Sequence, residues 1–154
     1  IVPRHPERFD EVAALCNDTK LNLVRRSQGT SVADADILLG DTMGELMVFF
    51  GACDVAFVGG SLVPTGGHNI IEPAAWGVPI LTCPHLFNFA QASTLLIESG
   101  GLIVCEGSGS LAHQFTRLLQ DHTSRRYASD AARRVAESNR GALNQLLKTI
   151  KPLI

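Results

Sequence analysis

The sequence predicts an α/β domain in which a parallel sheet is covered by helices on both faces. Three observations predict it. Short apolar runs, such as Ile37–Leu39 and Val55–Val58, alternate with stretches of helical periodicity. The runs are apolar throughout rather than at every second residue, the mark of strands buried on both faces. Glycine or proline stands at the joints between them.

Each element follows in turn. Ile1-Val2 reads as the tail of a strand, as if the chain were cut from a longer protein. Residues 7–17 read as a helix with Phe9, Val12, Ala13 and Cys16 on one face. Leu21–Arg25 is a strand, residues 26–36 are a polar loop, and Ile37–Leu39 is a short strand. A helix runs from Met43 to about Ala52. Val55–Val58 is an all-apolar strand leading into Gly59-Gly60. After a glycine-rich loop, a helix covers about Ile70–Trp76, and Gly77 closes it in the left-handed conformation. Val78–Thr82 is the next strand. A helix near Phe89–Ser99 ends at Gly100-Gly101, Leu102–Cys105 is a strand, and the remainder is helical with a break near Gly141.

The 154 residues suit one domain with its own core. A content of 45% hydrophobic and 18% charged residues is an ordinary globular balance that argues against disorder. The net charge of −2 offers no basic field for nucleic acid. No apolar run approaches the roughly 20 residues that span a bilayer, and no signal-peptide pattern opens the chain. Cys16, Cys53, Cys83 and Cys105 have no zinc-like spacing, so buried reduced thiols of a cytosolic domain are expected.

In open parallel sheets ligands sit beyond the carboxyl ends of the strands, and four segments there carry chemistry. Pro3-Arg4-His5-Pro6 follows the first strand; the prolines keep the turn out of helix, and Arg4 can make paired hydrogen bonds to phosphate or carboxylate. In Gly40-Asp41-Thr42-Met43-Gly44-Glu45, Thr42 and Glu45 fit a capping box. Gly44 in a first helical turn would weaken the helix by about 1 kcal/mol, so close approach of a ligand is one reason for it. Gly59-Gly60-Ser61 and Gly66-Gly67-His68-Asn69-Ile70-Ile71-Glu72-Pro73 bracket a loop that feeds a helix, with Asn69 as N-cap. Free N–H groups there suit an anion, and the nearby carboxylate suits hydroxyls, so phosphate plus ribose is the natural ligand. An ordinary capped helix is the plainer alternative. The loop is neither a Walker A sequence nor a G-x-G-x-x-G fingerprint. Finally, in Pro84-His85-Leu86-Phe87-Asn88-Phe89, His85 and Asn88 could face the ligand, with Phe87 and Phe89 as core or domain-contact residues.

Taken together, PRHPERF, GDTMGEL, FVGGSL, GGHNIIEPAA and PHLFNF stand in the order and at about the spacing of the bacterial Kdo transferases. The chain resembles the C-terminal, donor-binding half of these two-domain (GT-B) glycosyltransferases over residues 1 to about 150. The resemblance implies a Rossmann-like fold, CMP-Kdo as donor, an inverting mechanism, no cofactor and no catalytic metal. It implies donor contacts from Pro3 and Arg4, from Met43, Gly44 and Glu45, and from Asn69, Ile70, Ile71 and Glu72, with Ile70 and Ile71 offering mainly backbone N–H groups; the glycine loop itself adds Gly66 and Gly67 as donor-binding candidates. Arg4 and His68 are candidates to stabilise charge on the leaving CMP; the general base belongs to an N-terminal acceptor domain outside residues 1–154. The implied partners are that domain, a lipid A precursor and, through the missing domain, the cytoplasmic face of the inner membrane. A UDP- or GDP-sugar donor, or a non-catalytic nucleotide sensor, are the alternatives. Leu143, Leu146, Leu147 and Ile150 form an apolar stripe that either crosses back to the first domain or packs on its own sheet, and Arg125-Arg126 could meet anionic lipid.

Overall fold

Ile1 already forms a rung of sheet. Its nitrogen donates to Leu38 O at 2.8 Å, and Gly40 N–H donates back to Ile1 O at 2.8 Å, the pattern of a parallel ladder. Strand β1 (Leu23–Arg25) pairs parallel with β2 (Ile37–Leu39), Leu23 opposite Ile37 and Arg25 opposite Leu39. A computed structural model describes residues 1–140 and divides the chain into two compact units, Ile1–Phe49 and Phe50 onward. In the first unit, Pro6 starts a 3-10 turn (Pro6–Arg8), a position where the missing N–H costs nothing. Helix α1 (Phe9–Asn17) follows and buries Ala13 and Cys16, with Phe9 and Val12 half-buried on the expected face. After β2, a Cβ on Gly40 would fall 2.8 Å from the Phe49 ring and 3.0 Å from Val2. Only glycine lets β2 approach helix α2 (Leu46–Ala52) that closely.

The second unit holds a three-stranded parallel sheet in the order β3 (Ala56–Phe57), β4 (Ile80–Thr82), β5 (Leu102–Val104). Its strands alternate between two cores, as the pleat requires. Ile80 and Leu102 join Val58, Ile70, Ala74, Leu96 and Ala132 on one face. Leu81 joins Cys83, Cys105 and Leu118 on the other, with Phe57 and Ile103 packed against them. Helices α3 (Ile71–Trp76), α4 (Ala90–Ser99) and α6 (His122–Ser138) cover the first face, and α5 (Ser108–Gln120) covers the second. The parallel sheet with helices on both faces is therefore as expected. Alanines 128, 131, 132 and 136 make α6 thin enough to approach closely: a Cβ on Gly101 would sit 2.7 Å from the Ala132 backbone. Gly77 (φ +69) ends α3, whose last carbonyls accept from Arg133 (Nη2 to Trp76 O, 3.2 Å) and from Ser129 Oγ at Gly77 O.

Several expectations need correction. Helix α2 begins at Leu46, not Met43. The C-terminal helical stretch breaks at Asp121, whose extended backbone ends α5 and whose carboxylate accepts from Thr123 N–H (3.0 Å) and Ser124 N–H (3.1 Å) to cap α6. Cys16, Cys83 and Cys105 are buried free thiols, but Cys53 is exposed because it lies in the turn after α2. Phe89 packs on the core, whereas Phe87 is 62% exposed. The stripe from Leu143 to Ile150, with Gly141, lies outside the described residues. Among the described residues, no helix is long and apolar enough to cross a membrane.

Candidate functional site

The candidate residues fall into one group in each unit. In the first, Arg4 lies on the exposed bend that follows the Ile1 rung, after half-buried Pro3. Gly44 has φ +84, and a Cβ there would meet nothing within 4 Å. The residue is glycine because the backbone is left-handed ahead of the helix, not because it weakens a helical turn. The capping box does not form either. Thr42 Oγ1 donates to the Glu45 carboxylate instead of accepting from the backbone. Glu45 starts α2 through its carbonyl, which accepts from Val48 (2.9 Å) and Phe49 (3.2 Å). That frees the Glu45 side chain, whose Oε1 accepts from Arg26 Nη2 at 2.9 Å. The Thr42 hydroxyl, opposed by partial burial and joined by Arg26, holds the Glu45 carboxyl below its ordinary range. Met43 is 66% exposed beside it.

Behind this loop sits Asp41, 7% exposed. Its Oδ1 accepts from Ser27 N–H (2.8 Å), and its Oδ2 from Ser27 Oγ (2.6 Å) and Arg25 Nε (2.6 Å). Arg25 also reaches Asp10, at 2.7 Å. Burial alone would raise the Asp41 carboxyl, but the Ser27 and Arg25 donors outweigh it and lower its pKa to about 2.

In the second unit, the glycine loop is folded onto the end of β3. Gly67 N–H donates to Gly60 O (2.8 Å), His68 N–H to Gly59 O (3.2 Å) and Thr65 Oγ1 to Gly60 O (2.6 Å). The segment after β4 is stitched over it: Asn88 N–H donates to Gly66 O and Asn88 Nδ2 to Thr65 O, both at 3.1 Å, and His85 N–H to Ser61 O at 3.2 Å. Gly60, Gly66 and Gly67 have positive φ, and a Cβ on Gly66 would lie 2.3 Å from Asn88 Nδ2 and 2.6 Å from Phe87. Gly66 and Gly67 are buried, so their first duty is to packing. Asn88 is likewise a staple within the loop.

The helix start is less open than the sequence suggests. The N-cap of α3 is Ile70 rather than Asn69, and it has no side-chain cap; Asn69 Oδ1 still accepts from Ile71 N–H at 2.9 Å, so that N–H is taken. Ile70 is fully buried in the core and offers a ligand no surface. Half-buried Asn69 and Glu72 remain at the rim, with half-buried His68 against Gly60. The Glu72 side chain makes no hydrogen bond or ion pair among the described residues, so it does not complete a capping box. Among the described residues no group of three His, Cys, Asp or Glu stands ready to hold a metal ion.

No protein-family model matches the chain. It is 42% identical over its whole length to the 3-deoxy-D-manno-octulosonic acid transferase of Haemophilus influenzae, and 37% identical over 98% of its length to that of Bordetella pertussis. It spans 36% of the length of each. A crystal structure of the C-terminal CMP-Kdo binding domain of WaaA from Acinetobacter baumannii matches with a TM-score of 0.83 and 36% identity, over 87% of this chain and 72% of that one. The chain belongs to the 3-deoxy-D-manno-octulosonic acid transferase family.

Within that family's fold, three features are not legible in the sequence. The Arg26–Glu45 pair joins residues 19 apart, and no periodicity signals it. The burial of Asp41 was masked by its place in a polar motif that reads as a helix cap. Ser27 was equally hidden in a stretch read as irregular loop; its only signal was the polar pair Arg26-Ser27 directly after a strand.

Proposed function

We propose that this chain is the CMP-Kdo-binding part of a transferase that moves Kdo to a lipid A precursor at the cytoplasmic face of the bacterial inner membrane. The observation that carries this reading is the likeness, at 36% identity, to a domain crystallised as a CMP-Kdo binding domain. The remaining length of the relatives leaves room for an acceptor domain that supplies the general base and the membrane contact, so residues 1–154 alone would not catalyse transfer. In the reaction, an acceptor hydroxyl attacks the anomeric carbon of Kdo, its proton goes to that base, and CMP departs with growing charge on its phosphate. Oriented donors meet such charge without reorganising. Arg4 is assigned to the anionic groups of the donor, with Pro3 setting its turn, and His68 is a separate candidate to stabilise charge on the leaving CMP. Glu45 and Glu72 are assigned to hydroxyl groups of ribose or Kdo, with Asn69 beside Glu72 and Met43 against the base. Gly44, Gly66 and Gly67 shape the loops that carry these groups. Ile70 and Ile71 support the helix start instead of touching the donor.

Calorimetric titration of the full-length protein with CMP, UDP and GDP tests the reading. CMP is expected to bind most tightly, and Glu72→Gln to weaken it by about tenfold, the loss of one charged hydrogen bond. Preference for UDP or GDP would transfer the chain to another donor class. Unchanged CMP affinity in Glu72→Gln would remove Glu72 from the site.

A further inference from the structure

The Glu45 carboxylate is the one proposed donor contact whose orientation is set by named neighbours on both oxygens. Oε1 takes the Arg26 guanidinium and Oε2 takes the Thr42 hydroxyl. A carboxylate offers about four acceptor positions, so two such bonds leave it able to receive ligand hydroxyls while fixing its plane. Arg26 is itself fixed. It opens a 3-10 turn, Arg26–Gln28, closed by Gly29 at φ +63. The next residue, Ser27, is clamped by backbone and hydroxyl to buried Asp41, and the preceding residue, Arg25, is clamped to the same carboxylate. Asp41 lies four residues before Glu45. The turn that carries Arg26 and the loop that carries Glu45 are therefore joined at their base by Asp41 and at their rim by the Arg26–Glu45 pair.

We infer that Arg26, seated by Asp41, is a positioning residue that holds the Glu45 carboxylate in the orientation in which it receives the donor nucleotide. This rests on the proposed reading of Glu45 as a donor contact. The pair has little else to do. The two side chains are 46% and 31% exposed, and pairs so open to water add little to stability. Arginine suits the task because its planar fork is rigid and always charged.

A double-mutant cycle in the full-length protein decides the matter, with CMP affinity measured by calorimetry and folding by thermal melt. Glu45→Gln and Arg26→Gln should each weaken CMP by about five- to tenfold, and the double variant should be no weaker than Glu45→Gln alone. Arg26→Lys should recover most of the loss. Thr42→Val, acting on the other oxygen, should also lose affinity in wild-type protein and none in the Glu45→Gln background. Wild-type affinity in Arg26→Gln beside a weakened Glu45→Gln would overturn the positioning role and leave the Glu45 contact standing. Additive losses would show that Arg26 acts on its own. A melting midpoint lowered by more than about ten degrees in Arg26→Gln would make the pair structural, again overturning the role. Unchanged affinity in Glu45→Gln would bring down the donor contact itself, and the inference with it.

Discussion

At 7% exposure, Asp41 keeps its charge because the Ser27 N–H, the Ser27 hydroxyl and the Arg25 guanidinium converge on it. Removing the carboxylate strands those donors in a half-buried site. Asp41→Ala is expected to cost about 3 kcal/mol at pH 6, measured by urea unfolding. The pH dependence has a definite sign. A carboxyl lowered from 3.8 to about 2 in the folded state stabilises fully above about pH 4 and loses that contribution as pH falls towards 2. The gap between wild type and Asp41→Asn should therefore narrow from pH 6 to pH 2. A constant gap would mean that the charge is not what the clamp uses. None of this is legible in the motif letters, because an Asp after Gly40 reads equally well as a polar turn residue. What distinguishes Asp41 is the arrival of Arg25 and Ser27 from another strand's end.

Among the elements, the glycine-rich turns separate two reasons for one residue type. Gly44 needs its freedom for φ alone, since a Cβ there meets open space. Gly66 needs it for φ and for room, with Asn88 and Phe87 pressed against its α-carbon. Gly44→Ala is expected to cost about 1–2 kcal/mol. Gly66→Ala adds overpacking and should cost about 3 kcal/mol or more, with loosening of the 85–88 segment visible in hydrogen exchange. Equal losses in thermal unfolding would mean that the segment over Gly66 yields freely. The sequence marked both glycines as special; the backbone geometry gives each a reason to be glycine that does not depend on a ligand. Strands β2 and β4 and the Gly77 end of α3 were readable from local pattern because burial on two faces and a left-handed cap leave local signatures. The start of α2 was misplaced because Thr42 and Glu45 satisfy a capping pattern while in fact bonding each other.

Across the whole molecule, cations are distributed unevenly. Every Lys and Arg lies at or before Arg26 or at or after Arg117. The glycine loop and α3 therefore bring no lysine or arginine of their own. Arg4 is one of the cations in the first unit. In the full-length enzyme Arg4→Ala should slow transfer at least tenfold, the worth of one charged hydrogen bond at about 1.5–3 kcal/mol. Steady-state rates equal to wild type would remove Arg4 from its proposed role.

The amino-acid sequence by itself determined the class of fold and the family, because apolar runs, glycine punctuation and motif order are local and survive reading one residue at a time. Only the tertiary structure decided which of the marked residues are at the surface and which are in the packing. Ile70 and Gly66 went inward, Phe87 stayed out, and Arg26 was brought to Glu45. The physical reason is that burial and pairing are relations between segments far apart in the chain, and neither partner carries the other's address.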